Sequence, residues 1–188
     1  MTERWRCFVA APITDPLKSE LATVVAEWPQ HDELRWTRPE DWHLTLAFLG
    51  AVDAAAIEQV RATIADVATR HGPMRLELGG LGTFPGGPGA RVVWYGIKDS
   101  EARLAAVARD LGSALGLDTR SPFRAHVTLA RVRRGSADLR AWLSAAGQLA
   151  PDSMVKVRHL ALMRSRLGTD TPRYETLATL KLGGGRDG

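Results

Sequence analysis

The chain has 188 residues, 45% hydrophobic and 24% charged, enough to bury a substantial core and ordinary for a globular protein. Its formal net charge of +4, with a pI near 9.7, suits an anionic partner without requiring one. Cys7 is the sole cysteine, which excludes an intrachain disulfide and a cysteine-built zinc site. No apolar run is long enough to cross a membrane as a helix, so a single domain in the cytoplasm is expected.

Arg4 to Ile13 reads as a first strand, carrying the apolar run Cys7-Phe8-Val9-Ala10-Ala11. Asp15-Pro16 is a helix start, with Asp as N-cap and Pro at the first helical position; Leu17, Leu21, Val24 and Trp28 mark its apolar face, and Pro29 stops it. Leu34 to Arg38 gives a short strand, and Pro39-Glu40-Asp41 turns the chain into His43-Leu44-Thr45-Leu46-Ala47-Phe48-Leu49-Gly50. Gly50 is expected to end that strand and Asp53 to cap a second helix with the stripe Ile57, Val60, Ile64, Val67 and His71. His71, at that helix's end, reads as a dipole or capping residue.

Met74 to Gly80 alternates as a strand, and Arg91 to Tyr95 is another. Between them, six of the eight residues from Gly82 to Gly89 are Gly or Pro. A phosphate cradle needs a helix N-terminus behind it, and a strand follows here, so an exposed, poorly ordered hairpin loop is expected. Asp99-Ser100 opens a third helix that Gly116 closes. Ser121-Pro122-Phe123-Arg124 leads into His126-Val127-Thr128-Leu129-Ala130-Arg131-Val132. A short helix with Leu139, Trp142 and Leu143 follows, then two long strands, Met154–Leu167 and Arg173–Leu182. The tail 183–188 reads as disordered.

Two strands thus carry His-x-Thr-x in a chain with only five histidines. Side chains alternate along a strand, so His43 and Thr45 share one face, and His126 and Thr128 share another, with Leu44, Leu46, Phe48, Val127 and Leu129 behind them. Each motif strand belongs to a half built of strands and helices. The expected fold is α+β and bilobal, with two pseudo-symmetric antiparallel or mixed sheets facing a central cleft and helices on the outer faces, all within residues 1–182. Two imidazoles can serve as acid and base in one displacement, and two hydroxyls can bond non-bridging oxygens as charge develops. That suits in-line attack on a phosphodiester. A metal site would need more ligands at short spacing, and nothing comparable to Glu40 and Asp41 flanks His126. A serine or cysteine nucleophile has less support still, with no Gly-x-Ser-x-Gly and Cys7 in an apolar run.

The paired motifs resemble those of the 2H phosphoesterase superfamily, and more closely the bacterial and archaeal RNA 2',3'-cyclic phosphodiesterases, long called 2'-5' RNA ligases. The resemblance also rests on Phe8-Val9-Ala10, Trp36-Thr37-Arg38-Pro39-Glu40, Gly82-Thr83-Phe84-Pro85, Pro122-Phe123-Arg124 and Ser165-Arg166-Leu167-Gly168. It implies hydrolysis of a 2',3'-cyclic phosphate to a 2'-phosphomonoester without a cofactor or required metal, with 2'-5' ligation as the reverse reaction. It implies His43 as proton donor, His126 as proton acceptor, and Thr45 and Thr128 as phosphate contacts. The residues themselves do not distinguish acid from base. Ala125 stands where the family often has Pro, and Ala47 where it often has a basic residue.

Arg124, two residues before His126, alternates onto the cleft face and is a candidate phosphate ligand. Arg131 is another, although strict alternation turns it away unless a bulge or the strand's end redirects it. The implied partners are RNA ends bearing a 2',3'-cyclic phosphate, tRNA fragments among them, or small cyclic nucleotides, bound by a monomer that touches no membrane. An RNA-end binding protein with little turnover, and an enzyme for other cyclic phosphates or 2'-5' oligonucleotides, remain as alternatives.

Overall fold

In a computed structural model that describes residues 3–118, 122–148, 151, 153–166 and 173–183, the first strand, β1 (Arg4–Pro12), already divides the molecule into two faces. Cys7, Val9 and Ala11 enter the main core, while Phe8 and the residues in step with it turn to the opposite face, where Phe8 packs on His43. The remaining elements are α1 (Asp15–Glu27), β2 (Leu34–Trp36), β3 (His43–Asp53), α2 (Ile57–Thr69), β4 (Met74–Phe84) and β5 (Val92–Lys98). After these come α3 (Arg103–Ala114), β6 (His126–Val132), α4 (Arg140–Ala146), β7 (Met154–Val157), β8 (His159–Arg166) and β9 (Arg173–Lys181).

The strands pair in the order β7-β4-β5-β6-β3-β1-β8-β9, with β2 also on β6, and every pairing is antiparallel. The expected bilobal α+β fold is present, with one refinement. The two sheets run into each other through a single registered pair, Leu44 on β3 opposite Val127 on β6. Each of these residues directly follows its motif histidine, so the two motifs meet at this pair. Beyond it β3 parts from β6, and β2 takes its place through Leu34 to Trp36. The helices pack on the core face, contributing Leu17 and Leu21 from α1, Ile64 and Val67 from α2, Leu104, Val107 and Leu111 from α3, and Trp142 from α4. Trp28, Trp36 and Trp142 cluster there with ring centroids 5.8–5.9 Å apart, a packing role for three of the six tryptophans. Among the described residues no helix is long and apolar enough to cross a membrane.

Several boundaries differ from expectation for identifiable reasons. Thr14, not Asp15, occupies the N-cap position of α1, and Asp15 begins the helix. β3 does not stop at Gly50; Gly50 adopts φ +69°, which a glycine accepts without strain, and the strand continues to Asp53. A 3-10 turn, Ala54–Ala56, then precedes α2, so Asp53 is not its cap. His71 bonds Asp110 of α3 at 3.0 Å through its ring and does not cap its own helix. α3 begins at Arg103, with Asp99 reaching forward to accept the Ala105 amide at 2.8 Å.

The expected loop at 82–89 is shorter, because Gly82, Thr83 and Phe84 are the last residues of β4, paired with Trp94, Val93 and Val92. Thr83 is buried, and only Pro85–Pro88 project into solvent. The run read as one strand from Met154 is two, broken at Arg158: β7 pairs with β4 at one end of the sheet, and β8 lies between β1 and β9 at the other. Position 167 and the tail 184–188 lie outside the described residues, while Gly183 still donates to the Ala68 carbonyl at 2.8 Å.

Candidate active site

The two motif strands have the same burial pattern from the histidine onward. Residues +1, +3 and +4 are buried (Leu44, Leu46, Ala47; Val127, Leu129, Ala130), the His and Thr are half-buried, and residue +5 is exposed. A pure alternation would bury +5. The difference is a bulge at the same place in both copies. β1 partners step from Thr45 to Ala47, skipping Leu46, and β5 partners step from Thr128 to Ala130, skipping Leu129. One extra residue reverses the facing of everything after it.

Phe48, expected in the core, is therefore 73% exposed. Arg131, expected to turn away unless a bulge intervened, occupies the equivalent position in the other lobe. It lines a recess with Tyr174, Arg35, Trp36, Thr37, Arg38 and Asp41. The second bulge is clamped from outside β6. The Thr37 hydroxyl donates to the Thr128 and Leu129 carbonyls at 3.0 and 2.8 Å and accepts the Trp42 indole N–H at 2.8 Å.

Each imidazole is held the same way. His43 Nδ1 lies 2.6 Å from the Asp41 carbonyl and His126 Nδ1 lies 2.7 Å from the Arg124 carbonyl. A carbonyl only accepts, so Nδ1 carries the hydrogen in both, and Nε2 is left for a ligand. Phe8 stacks on His43 with centroids 5.0 Å apart, and the Tyr174 ring meets it edge-on at 5.1 Å. His126 is met edge-on by Phe84 at 4.9 Å and by a tilted Trp94 ring at 6.0 Å. Trp94 can lie across β4 only because position 82 is glycine; a Cβ there would clash with the indole ring. The hydroxyls of Thr45 and Thr128 have no hydrogen-bond partner among the described residues.

Burial pulls the pKa of both histidines below the usual range. Their charged neighbours differ. Asp41 raises His43, through its carbonyl and its carboxylate, against the opposing charges of His126 and Lys18. His126 gains from the Arg124 carbonyl but faces the positive charge of Arg131. Beside Thr45 and His126 lies a cavity of about 750 Å³ whose walls include Phe48, Phe84, Leu117 and Phe123, with Arg109 and Arg124 among its lining. Arg124, expected on the cleft face, is exposed there; neither it nor Arg131 pairs with a carboxylate among the described residues. Among those residues no three His, Cys, Asp or Glu side chains gather as a metal site would require.

Sequence reasoning assigns no role to Phe8, Phe84, Trp94, Thr37 or Tyr174. The first four stand in or beside runs that draw attention for other reasons. Tyr174 lies on the last strand and reaches His43 only through the β1-β8-β9 pairing, which nothing in its neighbours announces.

Two matched strands present two imidazoles and two free hydroxyls across a single open face, the arrangement expected of a two-histidine phosphoesterase. The chain matches the family model described as LigT like Phosphoesterase over residues 12–94 and 97–174, and it belongs to that family. It is 34% identical over 192 residues to an RNA 2',3'-cyclic phosphodiesterase of Geobacillus stearothermophilus, covering 99% of this chain and 60% of that longer protein. A protein of the same name from Archaeoglobus fulgidus is 28% identical over 176 residues, covering 92% of this chain and 97% of the relative. The fold is shared with TT0787 of Thermus thermophilus (TM-score 0.77, 23% identity, 96% and 100% of the two chains). It is shared likewise with Escherichia coli LigT complexed with 3'-AMP (TM-score 0.72, 23% identity, 97% and 100%).

Proposed function

We propose that this protein hydrolyses 2',3'-cyclic phosphates at RNA or nucleotide ends to 2'-phosphomonoesters. The observation that carries the reading is the duplicated strand itself: two imidazoles with Nδ1 tied to a backbone carbonyl and Nε2 free, each beside an unpaired threonine hydroxyl. The relatives named as RNA 2',3'-cyclic phosphodiesterases support the substrate class.

In this reading neutral His126 takes a proton from water at Nε2 as the water oxygen attacks phosphorus. The bond from phosphorus to the 3' oxygen breaks, and protonated His43 delivers its Nε2 proton to that oxygen. Burial disfavours the protonated form of both rings; Asp41 supports it at His43 against His126 and Lys18, and Arg131 adds to burial in keeping His126 neutral. Thr45 and Thr128 bond the non-bridging oxygens, and Arg124 and Arg131 add positive charge where the transition state gathers negative charge. The nucleobase of the reacting nucleotide fits the aromatic cavity between Phe48 and Phe84. Two bases on the protein supply both proton transfers, so turnover in EDTA is expected to match turnover without it.

The test is incubation with 2',3'-cyclic mononucleotides and cyclic-ended RNA in EDTA, with the product identified by phosphorus NMR. A 2'-phosphate is expected. A 3'-phosphate, or no turnover of either substrate, refutes the reading.

A further inference from the structure

Among the described residues, the polar side chains lining the aromatic cavity are Thr45, Arg109, Asp118, Arg124 and His126. Thr45, Arg124 and His126 serve the reacting phosphate in the reading above, which leaves Arg109 and Asp118 to meet the rest of the nucleotide. We infer that these two side chains select guanine as the base beside the cyclic phosphate. Asp118 accepts its N1–H and 2-amino hydrogens, and the guanidinium of Arg109 donates to its O6 and N7. The inference rests on the cyclic phosphodiesterase reading and names the nucleotide that the site prefers.

The fold brings the two residues together at the end of α3. Ala105, Ala108 and Arg109 are three and four apart and share one face of that helix, where the two alanines leave room for a ligand. Gly116, with φ +65°, turns the chain back after the helix. The Leu117 amide then donates to the Gly112 carbonyl at 2.8 Å, which lays Leu117 and Asp118 along the cavity beside the same face. Asp110 bonds His71 at 3.0 Å, so the backbone next to Arg109 is anchored to the chain that leaves α2. Arg109 itself is 70% exposed and meets Asp110 only loosely, at 3.6 Å, so its guanidinium can turn toward a ligand. The volume, about 750 Å³, suits a ligand the size of a whole nucleotide, purine included.

The charges on this wall decide what it takes. A carboxylate repels a second phosphate, whereas a neutral base with donors on one edge and acceptors on another satisfies a carboxylate and a guanidinium together. Uracil has one ring N–H between two acceptors. Adenine and cytosine each set one amino group beside a bare ring nitrogen, so one carboxylate oxygen meets a donor and the other meets a lone pair. Guanine alone offers two adjacent donors to the two carboxylate oxygens, with O6 and N7 left for the arginine fork.

The experiment compares kcat/KM for the 2',3'-cyclic phosphates of guanosine, inosine, adenosine, cytidine and uridine. The guanosine nucleotide should be preferred by about tenfold or more over the last three, the lower end for a charged hydrogen bond, as suits exposed side chains. Inosine lacks only the 2-amino group and should fall between. Asp118→Asn should bring the guanosine-to-inosine ratio close to unity. Arg109→Gln should slow guanosine and inosine by the same factor, about tenfold, and keep their ratio, because both present O6 and N7; Arg109→Lys should recover part of that loss. Equal turnover of all five substrates overturns the inference. So does a guanosine-to-inosine ratio that survives Asp118→Asn, or an Asp118→Asn variant slowed equally on every base. Calorimetric affinities for the 2'-phosphate products of guanosine and inosine read the base site without turnover. If nothing is hydrolysed but the guanosine product binds tighter in an Asp118-dependent way, the functional reading fails and the base site stands. If nothing is hydrolysed and the two products bind alike, both fail.

Discussion

Replacing Thr37 by valine keeps the shape of the side chain and removes its hydroxyl from under the β6 bulge. That hydroxyl donates to the Thr128 and Leu129 carbonyls and accepts the N–H of Trp42, whose side chain is almost fully buried. The lost donor costs about 1 kcal/mol. The orphaned indole N–H costs about 1–3 kcal/mol more, for a total of about 2–4 kcal/mol. In a domain of this size that lowers Tm by roughly 5–15 °C. The Thr37 amide still bonds Leu129 at 2.8 Å, so β2 stays attached and the chain folds. The bulge, however, loses the restraint that turns Arg131 to the open face, and kcat/KM on a cyclic nucleotide well below Tm should fall by about tenfold or more, the worth of one charged hydrogen bond. Thr37→Ser keeps the donor and the acceptor and should recover both losses. Adding Trp42→Phe to Thr37→Val removes the orphaned N–H, so the double variant should be less destabilised than the two single losses added together. Thermal melts and steady-state kinetics on the four variants decide the matter. A Thr37→Val protein with unchanged Tm and unchanged kcat/KM would show that the bulge needs no clamp.

His43→Ala and His126→Ala should each lower kcat by about 10²–10⁴-fold, and the double variant by much less than the product, because the two act in one displacement. Thr45→Ala and Thr128→Ala should cost roughly 10–150-fold, and His71→Ala, whose ring serves Asp110, should leave the rate within a few-fold; a larger loss at His71 would contradict the two-strand site. Stability should depend on pH through the same pair. Unfolded histidine titrates near pH 6.5, and both folded groups lie lower, so below about pH 6.5 the unfolded chain binds protons that the folded one refuses. Stability therefore falls as pH drops through that window and levels once the folded groups also titrate. A His43→Asn/His126→Asn protein should lose less Tm than the parent between about pH 7 and pH 5; an identical loss would mean that burial of these rings carries no proton linkage.

What the sequence shows well is composition by position, and what it shows poorly is register. His43, Thr45, His126 and Thr128 were legible because alternation holds from each histidine through its threonine. Phe48 and Arg131 were not, because each lies beyond a bulge, and a bulge depends on the partner strand's count as well as on the residues that form it. The same limit explains Met154 onward. The run carries no turn residue at Arg158 to mark a break, yet its two halves pair with β4 and with β1 and β9, choices made by strands far away in sequence. Boundaries missed by one to three residues, as at Asp15 and Gly50, changed nothing in the site.

The two lobes deviate from alternation at the same point, and this bears on what the duplication is for. Both copies place a histidine, a threonine and a fifth residue on the open face, and both hide the intervening residues in the same order. The geometry is common to the two halves; the chemistry at the fifth position is not. One lobe offers Phe48 beside an aromatic cavity, and the other offers Arg131 beside a cationic recess. A pseudo-twofold site with identical side chains would treat the two sides of a bound phosphate alike. A strand end is not symmetric about its cyclic phosphate, having a base on one side and a charged backbone on the other. On the proposed function Phe48 would face the base and Arg131 the charged side, while the two motif strands keep the imidazoles opposed.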